Sequence, residues 1–344
     1  MSFRVGVVGA SGYTGAELLR LLAAHPGLEP VVATSREFAG RDVAGVYPNL
    51  TAYAGRPFDE LDPDRLAELD LVFLALPHGA SMSFGAALAT AGVRVVDLSA
   101  DFRLNDPQAY PEWFGAPHVA PEWLGKWAYG LPELHRDEIR GGQTVANPGC
   151  YPTAALLALA PLVTQRLIEP DSIVVTAASG VSGAGRGISP GMHFSHVDAN
   201  FKAYTVTGHK HTPEIEQELG RLAGAEVRIT FVPHLLPMPR GLLATCTARL
   251  VSDADAAAIA EAPAAAYASE PFVRVTADPP ETKFTQGSNA CHVWATGDAR
   301  TGRAIAIAAI DNLGKGAAGQ AIQNANLMLG YPETLGLTAD GVYP

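Results

Sequence analysis

The chain has 344 residues, 48% hydrophobic and 17% charged, which is too apolar for a disordered chain and long enough for one large domain or two packed ones. A formal net charge of -11 with no run of Lys or Arg argues against nucleic acid and anionic membrane surfaces as partners. Three cysteines are too few for a disulfide framework, no stretch is apolar enough to span a bilayer, and the glycine-broken run at 5–10 is no signal peptide, so a cytoplasmic protein with free thiols is expected.

In chain order, 3–8 reads as a short valine-rich strand, 9–15 as a glycine-rich turn, and 16–25 as a helix burying Leu18, Leu19, Leu21 and Leu22. Pro26 and Gly27 end that helix, and 30–34 is a second strand, which completes a βαβ unit. Continuous apolar strands at 69–76 and 93–98 flank a helix at 81–91, the alternation of a parallel, doubly wound sheet. Prolines and tryptophans crowd 101–142, which reads as an irregular ordered segment. Beyond it come a helix at 153–162, strands at 172–178, 226–233 and 242–250, a helix at 254–268, a strand at 304–310 and a closing helix at 315–329. The partly alternating patterns of the later strands suit a mixed, largely antiparallel sheet. The fold class is therefore α/β: a Rossmann-type doubly wound sheet plus an α+β catalytic and oligomerisation domain. The boundaries are drawn at 1–149 with 313–344, and 150–312.

The turn at 9–15 reads GASGYTG, a variant of the dinucleotide fingerprint standing between the first strand and the first helix. Its small residues let backbone approach a pyrophosphate, and the helix start offers unpaired N–H groups. Gly9, Ser11, Gly12, Tyr13, Thr14 and Gly15 are the cofactor-binding candidates. At the end of the second strand, Ser35 and Arg36 stand where an NAD site carries a carboxylate, which favours the 2′-phosphate of NADP(H); the alternative is a solvated arginine. Pro77 and His78 follow a buried strand of the same unit and are read as lining the nicotinamide side; the alternative is a plain loop.

The run NPGCYPT at 147–153 fixes a turn and places Cys150 at or near a helix start, where a thiol is more easily ionised. Cys246 and Cys291 read instead as buried hydrophobes. A thiolate beside a nicotinamide site implies attack on an activated acyl carbon, a thioester, and reduction to an aldehyde, a sequence that needs an acid/base. His211 and His209 in GHKHTPE are the candidates; Glu214 either orients an imidazole or completes a helical turn begun by Thr212 as N-cap and Pro213. Arg103, Arg186 and Arg240 are candidate anion holders for the substrate, or surface arginines. No metal is expected.

GASGYTG, ALPHG at 75–79, DLSADFR at 97–103, YGLPEL at 129–134, NPGCYPT, SGVSGAGR at 179–186, GHKHTPEI at 208–215 and AIDNLGKGAAGQAIQ at 309–323 together resemble the N-acetyl-gamma-glutamyl-phosphate reductase family over nearly the whole chain. The resemblance implies NADPH-dependent reduction of N-acetyl-L-glutamyl 5-phosphate to the 5-semialdehyde with release of phosphate, the third step of arginine biosynthesis. It implies Cys150 as nucleophile, His211 as acid/base, Gly183 and Asn312 near the cofactor, and a homo-oligomer, dimer or tetramer. A relative acting on aspartyl or carrier-linked aminoadipyl phosphate, a non-catalytic NADP-binding module and a cysteine hydrolase are the competing readings; the last two leave NPGCYPT or GASGYTG without a purpose.

Overall fold

The computed structural model describes residues 2–251 and 255–343. Two compact units emerge, Met1–Pro148 with Ala317–Leu337, and Gly149–Gly316 with Thr338–Pro344. The chain thus divides at Pro148/Gly149 and Gly316/Ala317, and residues 149, 313–316 and 338–344 go with the second unit, where the sequence reading drew them into the first.

In the first unit β1 (Phe3–Val8) leads into α1 (Tyr13–Leu22), β2 (Leu28–Thr34), the short helices α2 (Val43–Val46) and α3 (Pro63–Ala67), and β3 (Leu71–Leu74). Next come α4 (Ser81–Thr90), β4 (Arg94–Asp97), α5 (Ala109–Phe114), β5 (Ala128–Tyr129), α6 (Pro132–Gly141) and β6 (Thr144–Ala146). All six strands run parallel in the order β2-β1-β3-β4-β6-β5. Val5 and Val7 bury against Leu18, Leu19 and Leu22 on one face, while Val8, Val72 and Leu74 bury against Ala86, Leu88 and Ala89 on the other. Covering both faces explains why the strands read as continuous apolar runs. The order reverses between β1 and β3, so their carboxyl ends form the switch point at which such sheets bind ligands.

Two expectations need correction here. The 101–142 segment is not irregular throughout: α6 occupies ten of its residues, with Pro132 in the first turn and His135 and Ile139 buried. The first helix starts at Tyr13 and not at 16, because Gly12 is already its N-cap.

The second unit opens with α7 (Cys150–Thr164), buried from Tyr151 through Val163, then β7 (Val174–Gly180), the short α8 (Phe194–Val197), β8 (Lys202–Ala203) and α9 (Thr212–Ala223). It continues through β9 (Thr230–Leu236), β10 (Leu242–Arg249), α10 (Ala256–Tyr267), β11 (Val273–Val275), β12 (Cys291–Asp298) and β13 (Arg303–Ile310). The expected start of α10 at Ala254 lies outside the described residues. The seven strands order as β11-β12-β13-β10-β7-β9-β8, with two parallel pairs (β11·β12 and β7·β9) and the rest antiparallel. Alternation along β10 buries Leu242, Ala244, Cys246 and Ala248 and leaves Leu243, Thr245 and Thr247 part-exposed, so among the described residues the other face of the sheet lacks a full cover. The strand β12 carries no expectation from the sequence. After a π-helical turn at Gly314–Ala318 the chain returns to the first unit as α11 (Gly319–Met328), whose Ala321, Ile322 and Ala325 join the core beside α1.

Candidate active site

The glycine turn of the first unit is built for an anion. Gly9 has φ +82°, a left-handed conformation that β-carbons resist, and a Cβ on Gly15 would overlap the carbonyl of Gly9 and the backbone of Ala10. The glycines therefore let α1 start directly against the strand end. Gly12 caps α1 with no side-chain hydrogen bond, which leaves its first N–H groups and the positive dipole end for a ligand. Ser11 Oγ meets Ser35 Oγ at 2.7 Å, and Ser35 Oγ accepts the Phe38 N–H, which ties the turn to the end of β2. Tyr47 OH donates to the carbonyl of Ser11 at 2.8 Å, a brace that carries no motif and that sequence reasoning missed. Ser35 is buried while Arg36 is exposed, and Arg36 makes no ion pair or hydrogen bond among the described residues. Tyr13 is 39% exposed at the helix start.

At the end of β3, the 77–79 turn is clamped by Asp101, another residue not singled out by the sequence. Its carboxylate accepts the N–H groups of Gly79 and Ser81, both at 2.8 Å, and meets His78 Nδ1 at 2.5 Å. Burial pushes the Asp101 carboxyl up, but the bonds from His78, Gly79 and Ser81 outweigh it and hold the group below the ordinary carboxylate range. Asp97, wholly buried with its carboxylate bonded to the N–H and hydroxyl of Ser99, is pushed up by burial to about 6. Arg103 is buried: its Nε donates to the Asn147 carbonyl at 2.8 Å and Nη2 to the Leu98 carbonyl at 2.9 Å, so it spans the carboxyl ends of β4 and β6. Pro77 is exposed and His78 part-exposed, its ring lying 4.2 Å from that of Phe114.

In the second unit Cys150 is the first residue of α7, part-buried, with Gly149 as N-cap. The Gly149 N–H is taken by Glu214 Oε1 at 2.9 Å, from the first turn of α9. Glu214 thus joins the starts of two helices. A Cβ on Gly149 would overlap His211 Nε2, so the imidazole sits directly on the cap of the cysteine helix. His211, and not Thr212, is the N-cap of α9. On the other side, a Cβ on Gly316 would stand 2.8 Å from the Cβ of Cys150. His209 is buried, its Nδ1 accepts the His211 N–H at 3.2 Å, and burial together with Lys210 lowers it to about 4. Tyr151 packs edge-on against both imidazoles. Cys246 is buried and pushed up by burial to about 12, and Cys291 is buried in β12, the inert environments read for both from sequence.

Arg240 Nε reaches Asp311 Oδ2 at 2.9 Å. Asp311 is fully buried and also accepts the N–H groups of Gly287, Leu313 and Gly314, so the guanidinium hangs from a fixed carboxylate. The adjacent Asn312 accepts the Gly241 N–H and donates to Ser182 Oγ, both at 2.8 Å, binding three loop segments together. Gly183 and Arg186 are exposed on the loop after β7. Asp311 went unnoticed in the sequence, although an aspartate closing an apolar strand before two backbone N–H groups is a recognisable turn signal.

Two family models cover the chain: the NAD binding domain of semialdehyde dehydrogenase matches residues 4–142, and the semialdehyde dehydrogenase dimerisation domain matches residues 150–312. Solved structures agree at the level of fold, including aspartate semialdehyde dehydrogenase II from Vibrio cholerae (TM-score 0.72, 17% identity, 96% of this chain and 98% of that one). The Candida albicans aspartate semialdehyde dehydrogenase solved with NADP aligns at TM-score 0.64 and 17% identity, over 96% of this chain and 99% of that one. A dinucleotide turn in one unit and a helix-start thiol in the other make this an oxidoreductase of the semialdehyde dehydrogenase class.

Among curated relatives, the N-acetyl-gamma-glutamyl-phosphate reductases of Pelotomaculum thermopropionicum and Acidothermus cellulolyticus are 50% and 52% identical, each over 100% of both chains. The chain belongs to the N-acetyl-gamma-glutamyl-phosphate reductase family.

Proposed function

We propose that the chain reduces N-acetyl-L-glutamyl 5-phosphate to N-acetyl-L-glutamate 5-semialdehyde with NADPH, through a thioester on Cys150. The reading rests above all on one observation: Cys150 opens α7 with His211 on its cap. The positive end of the α7 dipole favours the thiolate. Sγ attacks the acyl carbon; the C–S bond forms as the C–O bond to phosphate breaks, and phosphate leaves. When bound, the reduced cofactor supplies the hydride that converts the thioester carbon to the aldehyde level. Collapse of the resulting oxyanion breaks the C–S bond and returns the thiolate. His211 moves the proton between Sγ and the substrate oxygen, with Glu214 holding the two helix starts in place. His209, lowered to about 4, stays neutral and serves as packing beneath His211.

The open glycine turn fits the cofactor pyrophosphate, Ser35 and Arg36 the 2′-phosphate, and the Pro77-His78 turn, fixed by Asp101, the nicotinamide end. Gly183 and Asn312 remain candidate cofactor contacts. Arg240, held by Asp311, is the best-prepared guanidinium for the substrate carboxylate; Arg103 and Arg186 remain the candidates for phosphate. The uncovered sheet face is the proposed dimer contact, in keeping with the dimerisation domain that matches 150–312. Three free cysteines fit a cytoplasmic setting.

The test is phosphate-dependent reduction of NADP with N-acetylglutamate semialdehyde set against aspartate semialdehyde. Strong preference for the first, and a fall of about a thousandfold or more in Cys150→Ser with NADPH binding retained, are expected. Near-normal turnover by the variant refutes the thioester route.

A further inference from the structure

The turn that leads into the two histidines is strained. Between β8 and α9, Thr205 and Thr207 have φ +46° and +69°, left-handed values that β-branched residues resist. Such backbone persists only where its surroundings hold it. At the far end of this segment Glu214 takes the Gly149 N–H on the cap of α7. The near end has a fastening of its own. Tyr204 extends the pairing of β8 with β9, its N–H donating to the Pro233 carbonyl at 3.1 Å, and its hydroxyl donates to the Tyr151 hydroxyl at 3.3 Å. Tyr151 is the second residue of α7, so the segment is tied to the cysteine helix at both ends.

The direction of the hydroxyl contact is fixed. Tyr151 gives its one proton to the His234 carbonyl at 2.8 Å, a group that can only accept, so Tyr204 must be the donor. Burial pushes both hydroxyls up, Tyr204 to about 12, and the nearby Cys150 charge adds to it, so both keep their protons. The rings continue the path. Tyr204 meets His209 edge-on at 5.5 Å, Tyr151 meets it at 5.7 Å, and His209 Nδ1 accepts the His211 N–H at 3.2 Å. Without the Tyr204 hydroxyl the left-handed turn is tied on that side by backbone alone, which lets His209 tilt and His211 with it.

We propose that Tyr204 is a positioning residue for the reduction: its hydroxyl, seated on Tyr151, holds His209 and through it sets His211 on the cap of the cysteine helix. The inference rests on the reading of Cys150 as nucleophile and His211 as acid/base. Displacing such a group by about 1 Å is enough to cost roughly tenfold to a hundredfold in rate.

The test sets Tyr204→Phe, which keeps the ring and loses the hydroxyl, beside Tyr151→Phe and the double variant, each checked for folding by thermal unfolding. In phosphate-dependent reduction of NADP with N-acetylglutamate semialdehyde, Tyr204→Phe should lower kcat about tenfold and leave KM for the semialdehyde within about twofold. The same substitution made in Tyr151→Phe should cost little more, because the shared bond is already gone. Alkylation by iodoacetamide, followed against pH with Cys150→Ser as the blank, reads the thiolate without substrate. Its midpoint should move up by about 0.5 in pH or more in Tyr204→Phe, since a loosened imidazole supports the thiolate less. The proposal fails if that midpoint stays in place, if only KM or Tm changes, or if Tyr204→Phe costs as much in the Tyr151→Phe background as alone. Should the unaltered chain fail to turn over the semialdehyde, the reductase reading falls, while the alkylation midpoint still decides the part played by Tyr204.

Discussion

His209 and His211 stand two residues apart in nearly the same local sequence, and their surroundings separate them. His211 rests on the cap of α7; His209 is buried beneath it and lowered to about 4. His211→Asn should cut turnover by about a hundredfold or more, the scale of a lost general acid/base, with little change in the Michaelis constant for the acyl phosphate. His209→Gln should instead act on stability. A histidine kept neutral in the fold but protonated near 6.5 when unfolded makes the unfolded chain bind more protons between those values, so stability falls as pH drops from about 6.5 towards 4. The variant should flatten that decline in Tm by a few degrees, measured by thermal unfolding from pH 7 to 4.5. For Arg36, exposed and unengaged, Arg36→Ala should weaken NADPH more than NADH; an unchanged preference between the cofactors, read by titration of each, would return Arg36 to the solvent.

At the scale of elements, the candidate residues gather at helix starts: the glycine turn at α1, Cys150 at α7 and His211 at α9. Each start opens without a side-chain cap hydrogen bond, and α1 and α7 have glycine as N-cap. Gly15→Ala should show how tightly the first is built. Its Cβ would meet fixed backbone at Gly9 and Ala10, so α1 must shift, and NADPH affinity should fall about tenfold or more, followed by fluorescence titration. Retained affinity would mean the turn has slack that the contacts do not suggest. The same crowding hid the start of α1 from periodicity, since the leucines that mark its buried side begin only at Leu18. Helix α6 was missed for a related reason: Pro132 and Glu133 at its start and Arg140 in its last turn are ordinary signals, but neighbouring prolines and tryptophans masked them. Strands of two or three residues such as β5, β6 and β8 offer no period to read.

At the scale of the whole molecule, two sheets carry two jobs, and only one has both faces covered by helices. The part-exposed isoleucines of β13, Ile305 and Ile307, belong to the uncovered face. Ile307→Glu should shift the chain from dimer to monomer in sedimentation velocity if that face is the contact, and leave the mass unchanged if it is not.

By itself the sequence determined the fold class, the glycine turn, the helix-start position of Cys150 and the family resemblance, because each is written in consecutive residues or in a short period. Tertiary structure decided what depends on residues distant in the chain. It put Glu214 on the Gly149 N–H, Asp101 under the 77–79 turn and Asp311 behind Arg240. It also turned one of two similar histidines into buried packing, since burial and the approach of a partner are set by the folded path of the backbone and by no local pattern.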